Sequence, residues 1–244
     1  MYRTAIALVC LLTASTAIAQ PAPPKKPDGR KTIGVISAIG EKFSVQKIGI
    51  MVFGNDLKES SINAWGIDDL VVSKIGALLS KQFNVTRIAA PKGAFDPIEQ
   101  PGGLFRDREA EQREIVRKIA AAHKNDLYIV VTRGGSPYSN TNQILMGLGI
   151  LEAGAPIYSD NIYLFALTAI DLYDGRTFNL IKRQAGSIGQ STFLTVVKGP
   201  HQKLDKPWWP SSPQVAQNDK LKNATRALVE QSIAQTVPEI VGAK

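Results

Sequence analysis

The chain has 244 residues, 44% of them hydrophobic, which suits a folded domain with a sizeable core and excludes a disordered chain. The formal net charge is +8, but bases and acids alternate along most of the sequence, without a concentrated basic stripe. A secreted nucleic-acid binder needs such a stripe, so nucleic acid is not expected as a partner. The basic excess still allows weak attraction to anionic lipid or polysaccharide.

The chain begins with the organisation of a secretory signal peptide, MYRTAIALVCLLTASTAIAQ. Arg3 supplies the positive start, a short apolar run follows, and AIA places small residues directly before Gln20. The apolar run is too short for a transmembrane helix. We therefore predict a leader over 1–19 with cleavage after Ala19, a periplasmic location, and no transmembrane segment in the mature chain.

The only cysteine, Cys10, lies within that apolar run. A lipoprotein is the alternative, because ALV precedes Cys10, but a lipid-anchoring cysteine would follow the apolar run rather than interrupt it. Removal of the leader would leave a chain without disulfides, thiolate nucleophiles or cysteine metal ligands. The exported domain is then expected to depend on its hydrophobic core alone.

Residues 20–31, QPAPPKKPDGRK, form a predicted linker with four prolines and four basic residues. The segment contains no aliphatic side chain larger than alanine, so it is expected to be extended and mobile. Because Asp28 is its one acid, it carries three units of the net positive charge. The folded domain is predicted to occupy 32–244.

The first half of the domain alternates strands with amphipathic helices. KTIGVISAIGEKFSVQKIGIMVF (31–53) predicts two strands with a turn between them. SSINAWGIDDLVVSKIGALLSKQF (60–83) has apolar residues at helical spacing, with Ser61 or Asn63 as the helix cap. A short strand, NVTRIAA, is predicted next.

A second helix is predicted at RDREAEQREIVRKIAAAHK (106–124), whose acids gather at its start and bases at its end, as suits the helix dipole. DLYIVVTR (126–133) is an almost unbroken apolar run. Such a run indicates a strand buried on both faces at the centre of a sheet.

The second half is predicted to contain a long hairpin and a closing helix. NIYLFALTAIDLYDGRTFNLIKRQAGSI (161–188) predicts the hairpin, turning at Asp174 and Gly175, with the glycine at positive φ. NDKLKNATRALVEQSIAQTV (218–237) predicts the helix. The order β-β-α-β-α-β-β-β-α predicts an α/β (α+β) fold: a single sandwich domain with a mixed β-sheet and about three packed helices.

The stretch ILMGLGILEAGAPIYS (144–159) raises the question of a ligand-binding loop. Gly147 and Gly149 match the start of G-x-G-x-x-G, but Glu152 stands at the third position and Pro156 precedes another strand instead of a helix. The run is also too short to span a membrane. We predict an edge strand or arm, part of a hairpin arm at 144–185, whose exposed apolar side chains could touch a partner.

Histidine and serine patterns do not indicate catalysis. His123 is expected to lie at a helix end and His201 in a loop, and neither has a partner at metal-ligand spacing. Ser136 follows the central strand, where α/β proteins often bind ligands, but Pro137 stands where a nucleophile elbow needs a helix. The favoured interpretation of Ser136 is a flexible exit from the strand.

The acidic residues also have ordinary local roles. Asp68 and Asp69 are expected in the first turn of a helix, where acids favour the dipole. Asp171 and Asp174 bracket the predicted hairpin turn, where aspartate is common. A calcium loop would need more alternating oxygen ligands. Neither a cofactor nor a metal is therefore expected.

DKPWWPSSP places Trp208 and Trp209 between prolines. Such rings can stack on a sugar or dock a partner protein, although covering the edge of the core is the favoured interpretation. The candidate contact surface is Trp208, Trp209, Leu148, Ile150, Leu151, Ile157 and Tyr158.

The strand DLYIVVTRG, the irregular stretch after it and the hairpin IYLFALTAIDLYDGRTF resemble the periplasmic sandwich domains of the curli-secretion lipoprotein and of the TolB amino-terminal domain. In those families a strand of the type aDyvv.g precedes a hairpin of the type v.l.DvrtG. The chain departs from them by lacking the lipid-anchoring cysteine and propeller repeats. The resemblance implies a non-catalytic role in envelope assembly or protein contacts.

The first hypothesis is therefore an exported module, not an enzyme, that binds another cell-envelope protein or component. The alternative is a periplasmic glycan- or sugar-binding protein that uses the tryptophans and the loop after Arg133. A hydrolase with an unrecognised acid pair is the third hypothesis.

Overall fold

The computed structural model describes residues 29–49, 55–100, 106–138, 143–153, 161–189, 197–210 and 215–242. The predicted leader and almost all of the predicted linker lie outside these residues, so both stay predictions. None of the described helices is both long and apolar enough to cross a membrane.

The described residues form twelve strands and four helices. The strands are β1 (Lys31–Ala38), β2 (Lys42–Ile48), β3 (Asp56–Ser61), β4 (Phe83–Ala89), β5 (Leu127–Arg133), β6 (Gly135–Pro137), β7 (Ile144–Met146), β8 (Leu148–Ala153), β9 (Asn161–Ala166), β10 (Thr168–Asp174), β11 (Leu180–Ala185) and β12 (His201–Leu204). The helices are α1 (Ile67–Leu79), α2 (Asp96–Glu99), α3 (Arg108–Ala120) and α4 (Asp219–Val241). The predicted mixed α/β fold is confirmed.

The first sheet has the strand order β11-β10-β5-β1-β4. Strands β4, β1 and β5 are parallel, while β10 and β11 run antiparallel. Strand β5 is the middle strand, and Ile129, Val130 and Val131 are fully buried on its two faces. The central, doubly buried strand that the apolar run predicts is confirmed.

The second sheet has the order β12-β9-β8-β2-β3, with β8 in the middle. Strand β8 pairs in parallel with β2 and antiparallel with β9. The prediction of an edge strand at this stretch is wrong, because β8 has a hydrogen-bonded neighbour on both sides. The predicted hairpin arm at 144–185 is divided, with β8 and β9 in the second sheet and β10 and β11 in the first.

The main core is shared by both sheets and by α1 and α4, which pack against each other. It contains Ile33 and Ile129 from the first sheet, Phe43 and Leu164 from the second, and Val71 from α1. A second cluster lies between the first sheet and α3, and a third lies on the other face of the second sheet. The two sheets are thus layers of one sandwich.

The hairpin turn differs from its prediction. Gly175 is not among the positive-φ residues; Phe178 takes φ 57° instead, and its ring stacks on Tyr128. Gly175 is required for a different reason, since a Cβ there would collide with the backbone carbonyl oxygen of Asn125. Its N–H donates to the carbonyl oxygen of Asp126 at 2.9 Å, which ties the turn to the segment before β5.

The start of α1 also differs. Ser61 lies in β3 and Asn63 in a 3₁₀ turn, so neither caps the helix; Gly66 occupies the N-cap position at φ 61°. Helices α3 and α4 begin as helix chemistry demands, since the Asp107 and Asn218 side chains accept hydrogen bonds from backbone N–H groups of the first turn.

Candidate functional site

Two crossings of the chain between the sheets, from β5 to β8 and from β9 to β10, meet at the three-bond junction of Gly134, Gly147 and Leu167. Gly134 follows β5, Gly147 precedes β8, and Leu167 joins β9 to β10. The Gly134 N–H donates to the Leu167 carbonyl at 2.9 Å, Leu167 donates to Gly147 at 2.8 Å, and Gly147 donates to Gly134 at 2.9 Å. These bonds form a closed ring that holds the sheets together.

Glycine is required at and beside the junction because other parts of the chain lie too close for a Cβ atom. A Cβ at Gly134 would lie 2.7 Å from the Thr168 backbone carbon, and one at Gly147, which has φ 63°, would collide with the Arg133 side chain. A Cβ at Gly149 would collide with Ser44. Gly147 and Gly149 therefore allow the close packing of the chain at the junction and against Ser44.

On one side of the junction lies the charged crevice, formed by Lys42, Glu59, Asp96, Glu99 and Arg133. The Arg133 side chain is only 5% exposed, and its two Nη atoms lie 2.8 Å from carboxylate oxygens of Glu99 and Glu59. Lys42 Nζ lies 3.0 Å from Asp96. The crevice is at the carboxyl ends of β1 and β5, a position where open α/β sheets commonly bind ligands.

Side chains of the protein itself fill much of the charged crevice, which leaves a cavity of about 190 Å³. Burial raises the pKa of Glu99, although Arg133 and Lys42 act in the opposite direction. The hydrogen bond with Asp96 raises the pKa of Lys42. Each charge thus has a partner of opposite sign, and the crevice cross-links β5 to β3 and α2.

On the other side of the junction lies the junction cavity, with a volume of about 470 Å³. Strand β10 lies between β5 and β11, but it begins only at Thr168. The residue before it, Leu167, leads back to β9 in the second sheet, so no strand separates β5 from β11 beyond this point. The extensions of β5 and β11 continue past this point and leave a space between them. The lining residues are Gly134–Pro137, Leu167–Ala169, Arg183–Ile188, Val197–Gly199 and His201.

The junction cavity is lined by small and apolar side chains and by three bases, Arg183, Lys198 and His201, with no carboxylate among its described lining residues. The guanidinium of Arg183 is paired with Asp171. Lys198 is exposed and makes no ion pair with the described part of the chain. The Oγ of Ser136 donates to its neighbouring carbonyl at 3.4 Å rather than to His201, so no serine–histidine pair forms.

Asp171 is completely buried and has a structural role. Its carboxylate receives bonds of 2.7 and 2.8 Å from Arg183 and one of 2.6 Å from the Gln112 amide of α3. Burial and the neighbouring Asp171 charge raise the pKa of Tyr173. Asp174 alone acts as the predicted turn residue, since it accepts the Thr177 N–H at 2.8 Å.

Three residues of the predicted contact surface lie inside the core. Leu148, Ile150 and Leu151 are 0% exposed because β8 is the middle strand between two packed layers. These side chains do not reach a partner, which corrects the prediction for them. Ile157 and Tyr158 lie outside the described residues.

The tryptophans are half-buried and pack against the main core. The Lys220 ammonium lies 3.8 Å from the centroid of the Trp208 ring, so a cation already covers one face of that ring. They follow the end of β12, whereas the junction cavity touches its first residue, His201. The structure does not bring the tryptophans to the cavity.

The remaining predicted residues stabilise the fold. Asp68 accepts bonds from Ser37 Oγ at 2.6 Å and from the Ile39 N–H at 2.9 Å, and so fastens α1 to the turn after β1. The His123 carbonyl accepts the Tyr128 hydroxyl at 2.6 Å. Among the described residues no group of three or more acids and histidines could hold a metal ion.

Sequence patterns did not reveal the charged crevice or the junction cavity. The crevice residues are spread from Lys42 to Arg133, and only the pairing of β2 with β3 and the placement of α2 bring them together. The cavity depends on where Leu167 leaves one sheet for the other. The available signal was the pair of glycines directly after β5.

No protein-family model matches the chain, and no curated protein matches it in sequence. Protein XCC0632 of the DUF330 family from Xanthomonas campestris is 10% identical, with 90% of this chain and 87% of that one covered and a TM-score of 0.38. Lipoprotein GNA1162 from Neisseria meningitidis is 14% identical, with coverages of 82% and 96% and a TM-score of 0.28. The LpoB C-terminal domain from Salmonella enterica is 10% identical, with coverages of 65% and 84% and a TM-score of 0.24. Similarity this distant says nothing about activity or partners, and the resemblance to the curli-secretion lipoprotein and TolB stays a prediction.

Proposed function

We propose that this chain is an exported, non-catalytic binding module of the cell envelope, and that the junction cavity is its binding site. The observation that carries the proposal is the cavity itself: about 470 Å³, between two sheets, at the end of the central strand. Binding sites for small molecules commonly have this size, and they are mostly apolar with a few polar groups that orient the ligand.

The chemistry of the cavity supports binding rather than turnover. A general acid–base pair needs titratable groups within hydrogen-bond reach of one reacting atom. The described lining offers no carboxylate, and the Ser136 hydroxyl is directed to a backbone carbonyl. Export is supported by the signal-peptide pattern predicted over residues 1–19.

Trp208 and Trp209 form a second proposed contact surface, for a partner protein. Both rings are partly exposed beside α4, and aromatic rings of this kind dominate many protein contacts. Stacking of a sugar on Trp208 is less favoured, because Lys220 already occupies one face of the ring.

Site-specific crosslinking tests the proposal. We would place a benzoylphenylalanine at Ala185, an exposed residue at the cavity on edge strand β11, in the full chain with its own leader. The matched control is Ala89, an exposed residue on β4 at the other edge of the same sheet. Irradiation in bacterial cells and mass spectrometry should give an adduct with one envelope component at position 185 and none at 89.

The mature protein recovered in the same experiment should begin at Gln20. Equal adducts at both positions, or none at position 185, would reject the cavity as the binding site. A retained Met1 would reject export through a cleaved leader.

A further inference from the structure

The residues that line the junction cavity indicate which class of ligand it binds. This inference rests on the proposed function. The cavity volume of about 470 Å³ is in the range of small-molecule sites and is too small for a folded partner. The accessible apolar side chains of the lining are Ile188, Ala169 and Ala185, whereas Leu167 and Val197 are buried in the third cluster. Such a lining favours a hydrocarbon chain.

Three polar side chains of the lining form hydrogen bonds with the protein, whereas the buried Thr168 Oγ1 and Gln184 Oε1 have no partner among the described residues. Ser187 Oγ accepts the Gly189 N–H at 3.1 Å, and Gln184 Nε2 donates to Glu239 at 2.7 Å. Ser136 donates to a backbone carbonyl. A sugar needs several free donors and acceptors around its ring, more than these two unpaired oxygens supply, whereas a hydrocarbon chain needs none.

The charge of the lining has one sign. Its ionisable groups are bases, and one of them, Arg183, is neutralised by the buried Asp171. Lys198 is exposed and lacks an ion pair with the described residues, so its ammonium is available to a ligand. A single anion at this position gains a charge-assisted hydrogen bond, and a cation would be repelled.

We propose that the junction cavity binds an amphiphile with one hydrocarbon chain and one anionic head group. The chain lies against Ile188, Ala169 and Ala185, and the head group contacts Lys198. A carboxylate and a phosphate share this chemistry, so the experiment includes both.

Titration calorimetry on the mature protein tests this with four twelve-carbon probes, each below its micelle concentration. The probes are dodecanoate, dodecyl phosphate, the neutral monododecanoylglycerol and the cationic dodecyltrimethylammonium. We expect at least one anion to bind at least tenfold more tightly than the neutral probe, with no binding of the cation. The stronger anion identifies the head group as a carboxylate or a phosphate.

Two variants locate the site. Lys198→Ala should weaken binding of the better anion about tenfold, the size of a charge-assisted hydrogen bond. Lys203→Ala removes an exposed lysine from β12 outside the cavity and should leave the affinity unchanged. Ala185→Trp should abolish binding by filling the cavity mouth, while Ala89→Trp should not.

The inference is overturned if the four probes bind equally, if none binds, or if Lys198→Ala and Lys203→Ala behave alike. Equal binding that Ala185→Trp still abolishes would reject the anionic head group and leave the proposed function standing. Loss of the crosslink at position 185 would remove the proposed function itself. Circular dichroism of each exposed-site variant confirms that it is folded.

Discussion

The charged crevice and the junction cavity lie on opposite sides of the carboxyl end of β5, and they differ in what fills them. The crevice holds five charged side chains, but each is paired with its opposite and the remaining space is small. The cavity is more than twice as large and has few charges, all of one sign. A concentration of charge therefore marks a cross-link here, whereas the proposed binding site has few charges, of which Arg183 is already paired with Asp171.

Among variants that test the difference between the crevice and the cavity, Arg133→Ala is expected to have the largest effect. Removing the arginine leaves Glu99 partly buried without its partner, which should lower the free energy of unfolding by about 3 kcal/mol. Lys58→Ala on β3 breaks an exposed ion pair with Asp56 and should cost less than about 1 kcal/mol. Urea denaturation measures both. Equal losses would mean that the crevice does not cross-link the sheets.

Gly147→Ala tests the close contact between Gly147 of the junction and the Arg133 side chain of the charged crevice. The alanine would be held at positive φ and would collide with the Arg133 side chain, for a combined loss of about 2 to 4 kcal/mol. Gly189 also has positive φ, at 71°, but nothing lies near its Cβ position, so Gly189→Ala should cost about 1 kcal/mol. If thermal denaturation gives the same loss for both variants, the contact with Arg133 does not matter.

A smaller change, an increase in the free energy of unfolding, is expected from a substitution in α4. Ser232 on α4 is fully buried, and its hydroxyl has no hydrogen-bond partner. Ser232→Ala should therefore raise the free energy of unfolding by about 1 kcal/mol. One turn later, Thr236 accepts the Ser187 N–H at 3.0 Å, so Thr236→Val should lower it by about 1 to 2 kcal/mol. A loss in the serine variant would contradict the structure.

The smallest effects are pH-dependent and have opposite signs. Burial raises the pKa of Glu99, so its ionised form costs stability at pH 7, and this cost shrinks as the pH falls through the raised pKa. Hydrogen bonds from Thr32 lower the pKa of Asp126, so that its stabilisation is present above the usual aspartate pKa and is lost below it.

From about pH 7 to 5, the wild type should gain stability relative to Glu99→Gln; below about pH 4, it should lose stability relative to Asp126→Asn. Urea denaturation at several pH values measures both differences. Differences of the same sign in the two variants would contradict one of these pKa directions.

Hydrophobic patterns predicted the elements of the first sheet because its burial is local and repetitive. The unbroken apolar run of β5 and the helical spacing in α1, α3 and α4 need no partner to be recognised. Strand β3 was missed because it is polar and largely exposed, and only the edge of β2 determines its pairing. The central position of β8 was missed for a similar reason, since its parallel partner β2 is about a hundred residues away in the chain.

The candidate site was predicted only in part. Most of its residues are of ordinary types, and only the fold brings them together around the cavity. Ser136 was noted as following the central strand, where ligands often bind, and it does line the junction cavity. Lys198 has no pattern around it that distinguishes it from other exposed lysines. Leu148 and Ile150 were placed on a surface because an isolated apolar run does not reveal which layer will cover it.

The ring formed by Gly134, Gly147 and Leu167 has a consequence for how the molecule unfolds. Gly134 and Gly147 belong to the connection from β5 to β8 and Leu167 to the one from β9 to β10, so the three bonds tie two crossings of the chain to each other. The amide hydrogens of these residues should exchange with solvent only when the whole domain opens, with the same free energy as the most protected amides of β5. Local fraying is then confined to the strand edges, and the space beside the ring keeps its shape while the periphery moves.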